Sequence, residues 1–290
     1  MSKDLLTVAD LAGGAFAHVL ELAERADVGT PLAGKGAALV FQKPSARTRN
    51  STEMAVVQLG GHPIYIQKDE VGIDTRETAE DVARTLACYH AVIAARVMDH
   101  DHLVRMSDAV SIPVLNLLSD KEHPLQALAD LLTIKQLVGR LEGVKIAFVG
   151  DADNNVARSL AFACGEVGAE LTLVGPEEYR LQDAPNFVRQ VADPVEGVTG
   201  AQIVYTDVWV SMGQDSETAE RLKAFAAYQV DAALMAKAAD DVFFLHCLPA
   251  HRGEEVTHEV IESPKSAVWR QAENRMHTAR AALAWLLGVR

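Results

Sequence analysis

The sequence predicts an α/β protein with two doubly wound parallel-sheet domains. Short apolar runs alternate with longer segments of helical periodicity along the whole chain of 290 residues. Each apolar run is nearly continuous instead of alternating with polar residues, which is typical of parallel strands whose two faces are both covered by helices. The length exceeds what one small hydrophobic core needs, so we expect two domains.

The first domain is expected to span residues 1–137. Thr7 and Asp10 have the spacing of a capping box and predict a helix start. The polar segment 68–76 is expected to be an exposed loop. The predicted strands are 37–41, 64–66, 91–95 and 114–117. The predicted helices are 5–25, 51–59, 77–90, 99–108 and 123–138.

The second domain is expected to span residues 138–265. The predicted strands are 144–149, 171–174, 203–206 and 242–245. The predicted helices are 154–167, 184–191, 217–227 and 231–238. The C-terminal segment 266–290 is rich in alanine and leucine, and we expect a long helix there that crosses back and packs on the first domain.

The composition excludes several classes of protein. A net charge of −13 argues against a surface for nucleic acid or anionic membranes. The N-terminus lacks the apolar core of a signal peptide, and no run is long enough to span a membrane, so we expect a cytoplasmic protein. The three cysteines, Cys88, Cys164 and Cys247, have neither the spacing of a disulfide framework nor that of metal ligands.

The segment 44–49 joins the first predicted strand to a helix and carries Ser45, Arg47, Thr48 and Arg49. The first backbone N–H groups of a helix are unpaired, and the helix dipole adds partial positive charge there. Arginine side chains are permanently charged donors that match phosphate or carboxylate oxygens. The segment alone supports two interpretations equally, an anion site or a capped helix with two solvated arginines.

Further polar residues follow the other strands of the first domain. Ligands of open parallel sheets bind at the carboxyl ends of the strands. Arg96 follows the third predicted strand, and His123 and Gln126 follow the fourth. Together with Arg47 and Thr48, they predict a site in which two guanidinium groups bind a phosphate dianion. The hydroxyl, imidazole and amide groups suit a neighbouring carbonyl group.

The second domain offers a different set of groups at its strand ends. Asn155, Asp207 and Ser211 suit an amino-acid head group, with amide donors for a carboxylate and Asp207 for an ammonium. Cys247 follows the last predicted strand. A phosphate-bearing donor on one domain and an amine acceptor on the other predict group transfer in a cleft between the domains.

These motifs together resemble those of the aspartate/ornithine carbamoyltransferase family, and most closely its ornithine-type members. The resemblance covers nearly the whole chain, and its motifs are the loop 41–49, Arg96, the run 123–126, the loop 207–213 and the segments 245–249 and 273–277. The family implies transfer of the carbamoyl group of carbamoyl phosphate to the side-chain amine of L-ornithine, giving L-citrulline and phosphate. It also implies a homotrimer or a higher multiple, and neither a cofactor nor a metal.

The resemblance implies roles for individual residues at the donor. The loop would bind the phosphate largely through backbone N–H groups, Arg96 would bridge phosphate and carbonyl, and Gln126 would hold the carbamoyl NH₂. The main chain near Cys247 and Leu248 would join His123 and Arg275 in polarising the carbonyl. Binding of carbamoyl phosphate is implied for Ser45, Ala46, Arg47, Thr48, Arg96, His123, Gln126, Cys247, Leu248 and Arg275. Catalysis is implied for Arg96, His123, Cys247 and Arg275.

Roles at the acceptor follow from the same resemblance. Asn155 and the Met212 main chain would take the ornithine carboxylate, Asp207 and Ser211 the α-ammonium, and Cys247 would lie beside the attacking amine. That amine has a lysine-like pKa of about 10 and must lose a proton before it attacks. We expect direct attack on carbamoyl phosphate and no carbamoyl-cysteine intermediate.

Several alternatives stay open at this point. Ala46 stands where threonine is commoner in the family, and Thr52 where phenylalanine is common. The acceptor alternatives are N-acylated ornithine, putrescine and aspartate, although Asp207 favours a free α-ammonium. A nicotinamide-dependent oxidoreductase needs closely spaced glycines after the strand 144–149, and the sequence lacks them. A non-catalytic relative has no need of the intact polar set.

Overall fold

The computed structural model describes residues 4–210 and 215–290. For Asp215 it describes the backbone and not the side chain. The chain divides into two compact units. The first unit runs to Leu132 and also includes Glu273–Arg290, and the second is Thr133–Ala272. Both divisions fall inside long helices, so the helices 124–138 and 268–286 each contribute residues to both units.

The first unit is built on a four-stranded parallel sheet. Its strands are β1 (Gly36–Phe41), β2 (His62–Gln67), β3 (His90–Arg96) and β4 (Val114–Leu118). The helices of this part of the chain are α1 (Ala15–Glu24), α2 (Ala46–Gln58), α3 (Lys68–Val71), α4 (Ala79–Ala87), α5 (Asp101–Ala109) and α6 (Pro124–Val138). The strand order is β2-β1-β3-β4. The chain moves outward from β1 to β2 and then returns to β3 on the other side of β1, so the order reverses between β1 and β3. Such a reversal opens a crevice at the carboxyl ends of the two strands.

The second unit is built on a five-stranded parallel sheet. Its strands are β5 (Lys145–Val149), β6 (Glu170–Val174), β7 (Arg189–Val191), β8 (Ile203–Thr206) and β9 (Phe243–His246). Its helices are α7 (Asn155–Val167), α8 (Pro194–Val198), α9 (Thr218–Phe225), α10 (Ala232–Met235) and α11 (His258–Glu262), and α12 (Val268–Leu286) begins in it. The strand order is β7-β6-β5-β8-β9, with its reversal between β5 and β8.

The sheets are buried on both faces, as the continuous apolar runs predict. Ala38 and Val40 of β1 pack with Ile93 of β3 in a core of residues that are all less than a tenth exposed. In the second unit, Val204 of β8 and Phe244 of β9 belong to the corresponding core. The α/β fold with two parallel sheets is therefore confirmed.

Two predictions in the first unit need correction. The expected helix 5–25 is split into a 3-10 turn at Val8–Leu11 and α1, because Gly13 and Gly14 take left-handed backbone angles between them. The capping box of Thr7 and Asp10 is present at the start of the turn. The segment predicted as a loop at 68–76 begins with α3, a single helical turn that ends at the left-handed Gly72.

The predicted helix 184–191 is wrong. Residues 189–191 form the edge strand β7, which pairs in parallel with β6 from Thr172 to Val174. Pro185 disfavours a helical conformation in the residue before it, and the segment is too short to form a stable helix on propensity alone. Pairing with the free edge of β6 therefore decides its conformation. The short helices α8 and α11 lie where no helix is predicted.

Gly175 follows β6 at the point where the chain passes closest to Gly150. A Cβ atom at Gly175 would lie 2.3 Å from the Gly150 carbonyl oxygen. We predict that Gly175→Ala lowers the free energy of unfolding by about 1–3 kcal/mol, because the clash is with backbone and cannot be relieved by a side-chain rotation. Urea titration of the purified variant measures the change.

Gly165→Ala on α7 is the matched control. Its new Cβ would meet only the ring of Phe187, which is half exposed and free to rotate, and alanine favours a helix by up to about 1 kcal/mol over glycine. Equal destabilisation by the two substitutions would contradict the argument from the Gly150 carbonyl.

Candidate active site

Ser45 caps the N-terminus of α2, directly after β1. Its Oγ accepts a hydrogen bond from the Thr48 backbone N–H at 3.4 Å and donates one to Thr48 Oγ1 at 3.2 Å. Ala46 and Arg47 form the first turn of this 13-residue helix, where backbone N–H groups point outward. The turn is therefore shaped to receive an anion, as the sequence indicates.

The two arginines of the 44–49 segment have different surroundings. Arg49 lies over the ring of Tyr65, with 3.9 Å between its Cζ atom and the ring centroid, and its Nε donates to Glu53 at 2.8 Å. Arg47 is half-buried and lies close enough to Arg96 to lower that residue's pKa. Of these two arginines, Arg47 is therefore the better candidate for an anion ligand at this turn.

Arg96 and His123 lie at the carboxyl ends of β3 and β4. Both are buried, and burial together with the charges of Arg275 and Arg47 lowers the pKa of Arg96 to about 10. Burial, and then the charges of Arg275 and Arg96, hold the pKa of His123 well below its usual 6.5. At neutral pH the imidazole is therefore neutral, while the guanidinium groups keep their charge. The Nε of Arg96 is buried and has no hydrogen-bond partner among the described residues.

Gln126 and Arg275 complete the donor half of the site within the first unit. Arg275 lies on α12 and donates from one terminal nitrogen to Gln126 Oε1 and from the other to Thr48 Oγ1 at 3.4 Å. Gln126 Nε2 in turn donates to Asp130 Oδ1 at 2.7 Å. Residues from four separate segments therefore converge on the anion-binding turn, and Asp130 is one that the sequence reasoning did not identify.

Asp207 and Cys247 come together in the second unit, at the carboxyl ends of the neighbouring strands β8 and β9. The Cys247 thiol donates to Asp207 Oδ1 at 2.8 Å, and the Val208 backbone N–H donates to the same oxygen at 2.8 Å. The Asp207 side chain is 8 % exposed in the described structure. A carboxylate in such a position attracts a cation such as an ammonium group.

The turn after Cys247 is held by His246. The Leu248 backbone N–H donates to His246 Nδ1 at 2.9 Å, and His246 Nε2 lies 3.1 Å from Oε1 of the fully buried Glu255. Leu248 has a left-handed φ of 60°, and its bond to Pro249 is cis. Because its N–H is engaged, Leu248 offers a carbonyl oxygen and no free donor. Its main chain therefore does not suit the predicted role of polarising a carbonyl group, and it suits an NH₂ group instead.

Asn154 and Asn155 have different functions at the start of α7. Asn154 is the N-cap, and its Oδ1 accepts from the backbone N–H groups of Val156 and Ala157 at 2.9 and 2.8 Å. Asn155, the residue predicted to bind a carboxylate, lies in the first helical turn and is partly exposed. The predicted ligands Ser211 and Met212 lie outside the described residues.

A buried ion pair beside Asp207 has no counterpart in the sequence reasoning. Asp151, at the end of β5, pairs with Arg221 of α9, and both are almost completely buried. Arg221 Nε also donates to the Trp209 carbonyl at 2.7 Å. Burial raises the pKa of Asp151 to about 6 although Arg221 opposes the shift, so Asp151 is ionised at neutral pH. Asp151 could be found from its place after a strand, whereas 70 residues separate it from Arg221 and no local pattern joins them.

Asp207, His246 and Cys247 also place ligand-type atoms within 4.8 Å of one another. Both ring nitrogens of His246 are already hydrogen-bonded, to Leu248 and Glu255. His246 therefore holds the turn with both ring nitrogens, and a metal ion would have to displace one of these two hydrogen bonds.

No helix within residues 4–210 and 215–290 has the length and hydropathy needed to cross a membrane.

Comparison with known proteins identifies the family. Residues 3–136 match the carbamoyl-P binding domain of aspartate/ornithine carbamoyltransferase. Residues 142–286 match the Asp/Orn binding domain of the same family. The chain belongs to the aspartate/ornithine carbamoyltransferase family. The resemblance seen in the sequence and the expectation of a carbamoyltransferase are both confirmed.

Curated relatives and solved structures share this chain's full length. The ornithine carbamoyltransferase of Hyperthermus butylicus is 44 % identical over 98 % of this chain and 97 % of its own. That of Pyrobaculum calidifontis is 49 % identical over 91 % and 89 %. The solved ornithine carbamoyltransferase of Pyrococcus furiosus superposes with a TM-score of 0.93 at 42 % identity, covering 99 % of this chain and 97 % of that chain.

The lowered pKa of His123 predicts acid-sensitive stability. Below pH 6.5 the unfolded chain binds a proton at this residue that the folded chain does not, so stability falls as the pH falls. One proton corresponds to about 1.4 kcal/mol per pH unit. Between pH 6 and 5, we expect the unfolding free energy of His123→Asn to fall less steeply than that of the parent, by up to this amount. Chemical denaturation in phosphate-free buffer measures both slopes.

His62→Asn is the control. His62 is exposed and lies at the amino end of the edge strand β2, whereas the arginines of the site follow the carboxyl ends of the strands. It should keep the parental slope. Parallel curves for the parent and His123→Asn would show that His123 is not held neutral by its surroundings.

Proposed function

We propose that this protein is an ornithine carbamoyltransferase that transfers the carbamoyl group of carbamoyl phosphate to the side-chain amine of L-ornithine, giving L-citrulline and phosphate. The observation that carries the acceptor assignment is the buried carboxylate of Asp207, hydrogen-bonded to Cys247 at the ends of β8 and β9. An acidic acceptor site suits an amine-bearing amino acid. The relatives named ornithine carbamoyltransferase at 42–49 % identity support the same substrate.

Carbamoyl phosphate would bind to the first domain, residues 1–137. The backbone N–H groups of Ser45, Ala46 and Arg47 and the Arg47 side chain would take the phosphate, and the Thr48 N–H would exchange its 3.4 Å bond to Ser45 Oγ for a phosphate oxygen. Arg96 would bridge a phosphate oxygen and the carbamoyl carbonyl, and its buried Nε, which has no partner within the part of the chain that the structure describes, offers a donor for this purpose. The substitution of alanine at position 46 leaves this contact intact, because the donor there is the backbone.

The carbamoyl carbonyl would lie between His123 and Arg275. His123 is neutral, so it polarises the carbonyl as an imidazole hydrogen-bond donor and adds no further positive charge. Gln126 Oε1 would accept from the carbamoyl NH₂. The carbonyl oxygen of Leu248 would be a second acceptor for that NH₂, since the Leu248 N–H is engaged by His246.

Ornithine would bind to the second domain, residues 138–265. Asp207 and Ser211 would take the α-ammonium group, and Asn155 and the Met212 main chain would take the carboxylate. Cys247 would lie beside the side-chain amine. Arg221 neutralises Asp151, so of the two neighbouring carboxylates Asp207 is the one available to a cation.

The chemistry balances with two proton transfers. The ornithine ammonium first loses one proton to solvent and becomes a nucleophile. Its nitrogen then forms a bond to the carbamoyl carbon, the bond from carbon to the phosphate oxygen breaks, and the second amine proton passes to the departing phosphate. The arginines stabilise the negative charge that moves onto the phosphate. Cys247 takes part as a neighbour of the amine and forms no bond to the carbamoyl group.

The protein is further proposed to act in the cytoplasm as a homotrimer or a higher multiple. The first unit exposes three apolar side chains that are close together in sequence, Met54 and Val57 on α2 and Ile64 on β2. Exposed apolar side chains that join into one patch mark protein–protein interfaces, so this face is the one we propose for contact with a second subunit. Light scattering coupled to size-exclusion chromatography determines the mass directly.

The acceptor assignment predicts the outcome of a substrate comparison. The protein should form product with carbamoyl phosphate and L-ornithine and much less with N-acetylornithine, putrescine or aspartate. Asp207→Asn should lower kcat/KM for ornithine by roughly ten- to hundredfold, as expected for loss of a charged hydrogen bond. Asp240→Asn, on an exposed aspartate of the same unit, should leave it unchanged. Activity on acylated ornithine alone would overturn the assignment.

The donor assignment predicts different effects for two neighbouring arginines. Arg47→Gln should raise the KM for carbamoyl phosphate roughly ten- to hundredfold and weaken inhibition by inorganic phosphate, because a charged phosphate ligand is lost. Arg49→Gln should stay near the parental value, since Arg49 pairs with Glu53 and lies over Tyr65. Steady-state kinetics at saturating ornithine measure both. Equal effects would contradict the distinction drawn between the two side chains.

A further inference from the structure

We propose that Asp130 is a positioning residue that fixes the amide orientation of Gln126 and thereby makes the donor site prefer a carbamoyl phosphate over acyl phosphates of the same shape. The inference rests on the proposed binding of a carbamoyl group at Gln126. It assigns the choice between an NH₂ and a methyl group to a residue that does not itself touch the substrate.

The two side chains lie one helical turn apart on the same face of α6. Gln126 Nε2 donates to Asp130 Oδ1 at 2.7 Å, and both residues are essentially inaccessible to solvent. A carboxylate accepts hydrogen bonds and donates none. The amide nitrogen of Gln126 must therefore face Asp130, and its oxygen must face the opposite way.

Arg275 imposes the same orientation from the other side. One of its terminal nitrogens donates to Gln126 Oε1, and a guanidinium group donates and never accepts. Gln126 is thus held between an obligate acceptor and an obligate donor. Turning the amide over would place NH₂ against NH₂ at Arg275 and oxygen against oxygen at Asp130, in a buried place where no water replaces the lost bonds.

The orientation reaches the phosphate-binding turn. Arg275 donates to Thr48 Oγ1 with its other terminal nitrogen, and Thr48 Oγ1 also accepts from Ser45 Oγ. Arg275 can only donate, so it sets the direction of its own two bonds, and Asp130 sets the direction of the bond at the other end of the Gln126 amide. Asp130 therefore influences a group that lies on a different helix from its own.

The chemical consequence concerns the group beside the carbonyl. A carbamoyl NH₂ carries donors that Gln126 Oε1 can accept, whereas the methyl group of an acetyl phosphate carries none. With the amide reversed, the Gln126 NH₂ would face the carbamoyl NH₂, and the preference would vanish. Sites that hydrogen-bond a substrate NH or OH reject the analogue that lacks it far more strongly than apolar pockets reject an extra methyl.

Asp130→Asn tests the inference with an isosteric change. Asparagine can offer either its oxygen or its NH₂ to Gln126, so only Arg275 then opposes the reversed amide and the reversal costs one unfavourable contact instead of two. Two stable ligands that differ only in NH₂ against CH₃, phosphonoacetamide and acetonylphosphonate, are compared by calorimetry together with inorganic phosphate. We expect phosphonoacetamide to bind roughly ten- to hundredfold more weakly. Acetonylphosphonate and phosphate should change by less than about twofold on the same scale.

The exchange variant Gln126→Glu/Asp130→Asn provides the rescue. The asparagine at 130 can donate to one oxygen of the glutamate at 126, and its other oxygen then faces Arg275 and the ligand. The acceptor is restored with the two chemical groups interchanged, so the preference for phosphonoacetamide should return at least in part. This variant also keeps the total charge of the pair, which protects the fold if Asp130→Asn alone is unstable.

Three results would overturn the inference. One is an unchanged ratio of the two affinities in Asp130→Asn, and another is an equal loss for all three ligands, which would indicate a purely structural residue. The third is failure of the exchange variant, properly folded by circular dichroism, to recover the ratio. Because the measurement uses binding alone, it is separate from the citrulline assay. A parent that makes no citrulline would defeat the proposed function while leaving the affinity comparison intact.

Discussion

The first unit is organised around a concentration of positive charge in a buried place. Arg96 and Arg275 are both at least nine-tenths buried. Burial, and then the charges of Arg275 and Arg47, lower the pKa of Arg96 to about 10. Neutral His123 lies among them and adds no charge. Like charges held together out of water are costly without a counter-ion. In the proposed function, a phosphate dianion would relieve this repulsion on binding.

Both sheets have a reversal of strand order, and the residues that follow the strands there are of opposite charge in the two sheets. In each, the strand order reverses between two adjacent strands, β1 and β3 in one and β5 and β8 in the other. The residues that follow these strands carry the chemistry. They are cationic in the first unit and anionic in the second, where Asp151 and Asp207 are neighbours. Arg221 pairs with Asp151, and in the proposed function Asp207 is the carboxylate that would take the ammonium group.

The parts of the site that sequence predicts are those fixed by strand direction. Parallel strands bring their carboxyl ends to one edge of their own sheet, so Arg96 and His123 could be grouped in the first unit, and Asp207 and Cys247 in the second, from the sequence alone. Pairs of residues that are far apart in sequence and meet only through helix packing could not be predicted in this way. Arg221 is 70 residues from Asp151, and its role depends on how α9 packs.

The errors in the fold have a similar origin. The helix expected at 184–191 fails because a free sheet edge outweighs weak local propensity, and the helix expected at 5–25 fails because two glycines permit a sharp change of direction. Asp130 was overlooked for a different reason. Its spacing from Gln126 is visible in the sequence, but an aspartate four residues along a helix is ordinary until its burial is known.

The run from His246 to Leu248 divides its tasks residue by residue. His246 points inward and secures the turn through Glu255, while Cys247 reaches Asp207. Neighbouring positions therefore have separate tasks, one that keeps the backbone in place and one that, in the proposed function, faces the acceptor. A substitution at 247 would change the contact with Asp207 and leave the support at 246 in place. The shape of the segment and its chemistry are in this sense independently adjustable.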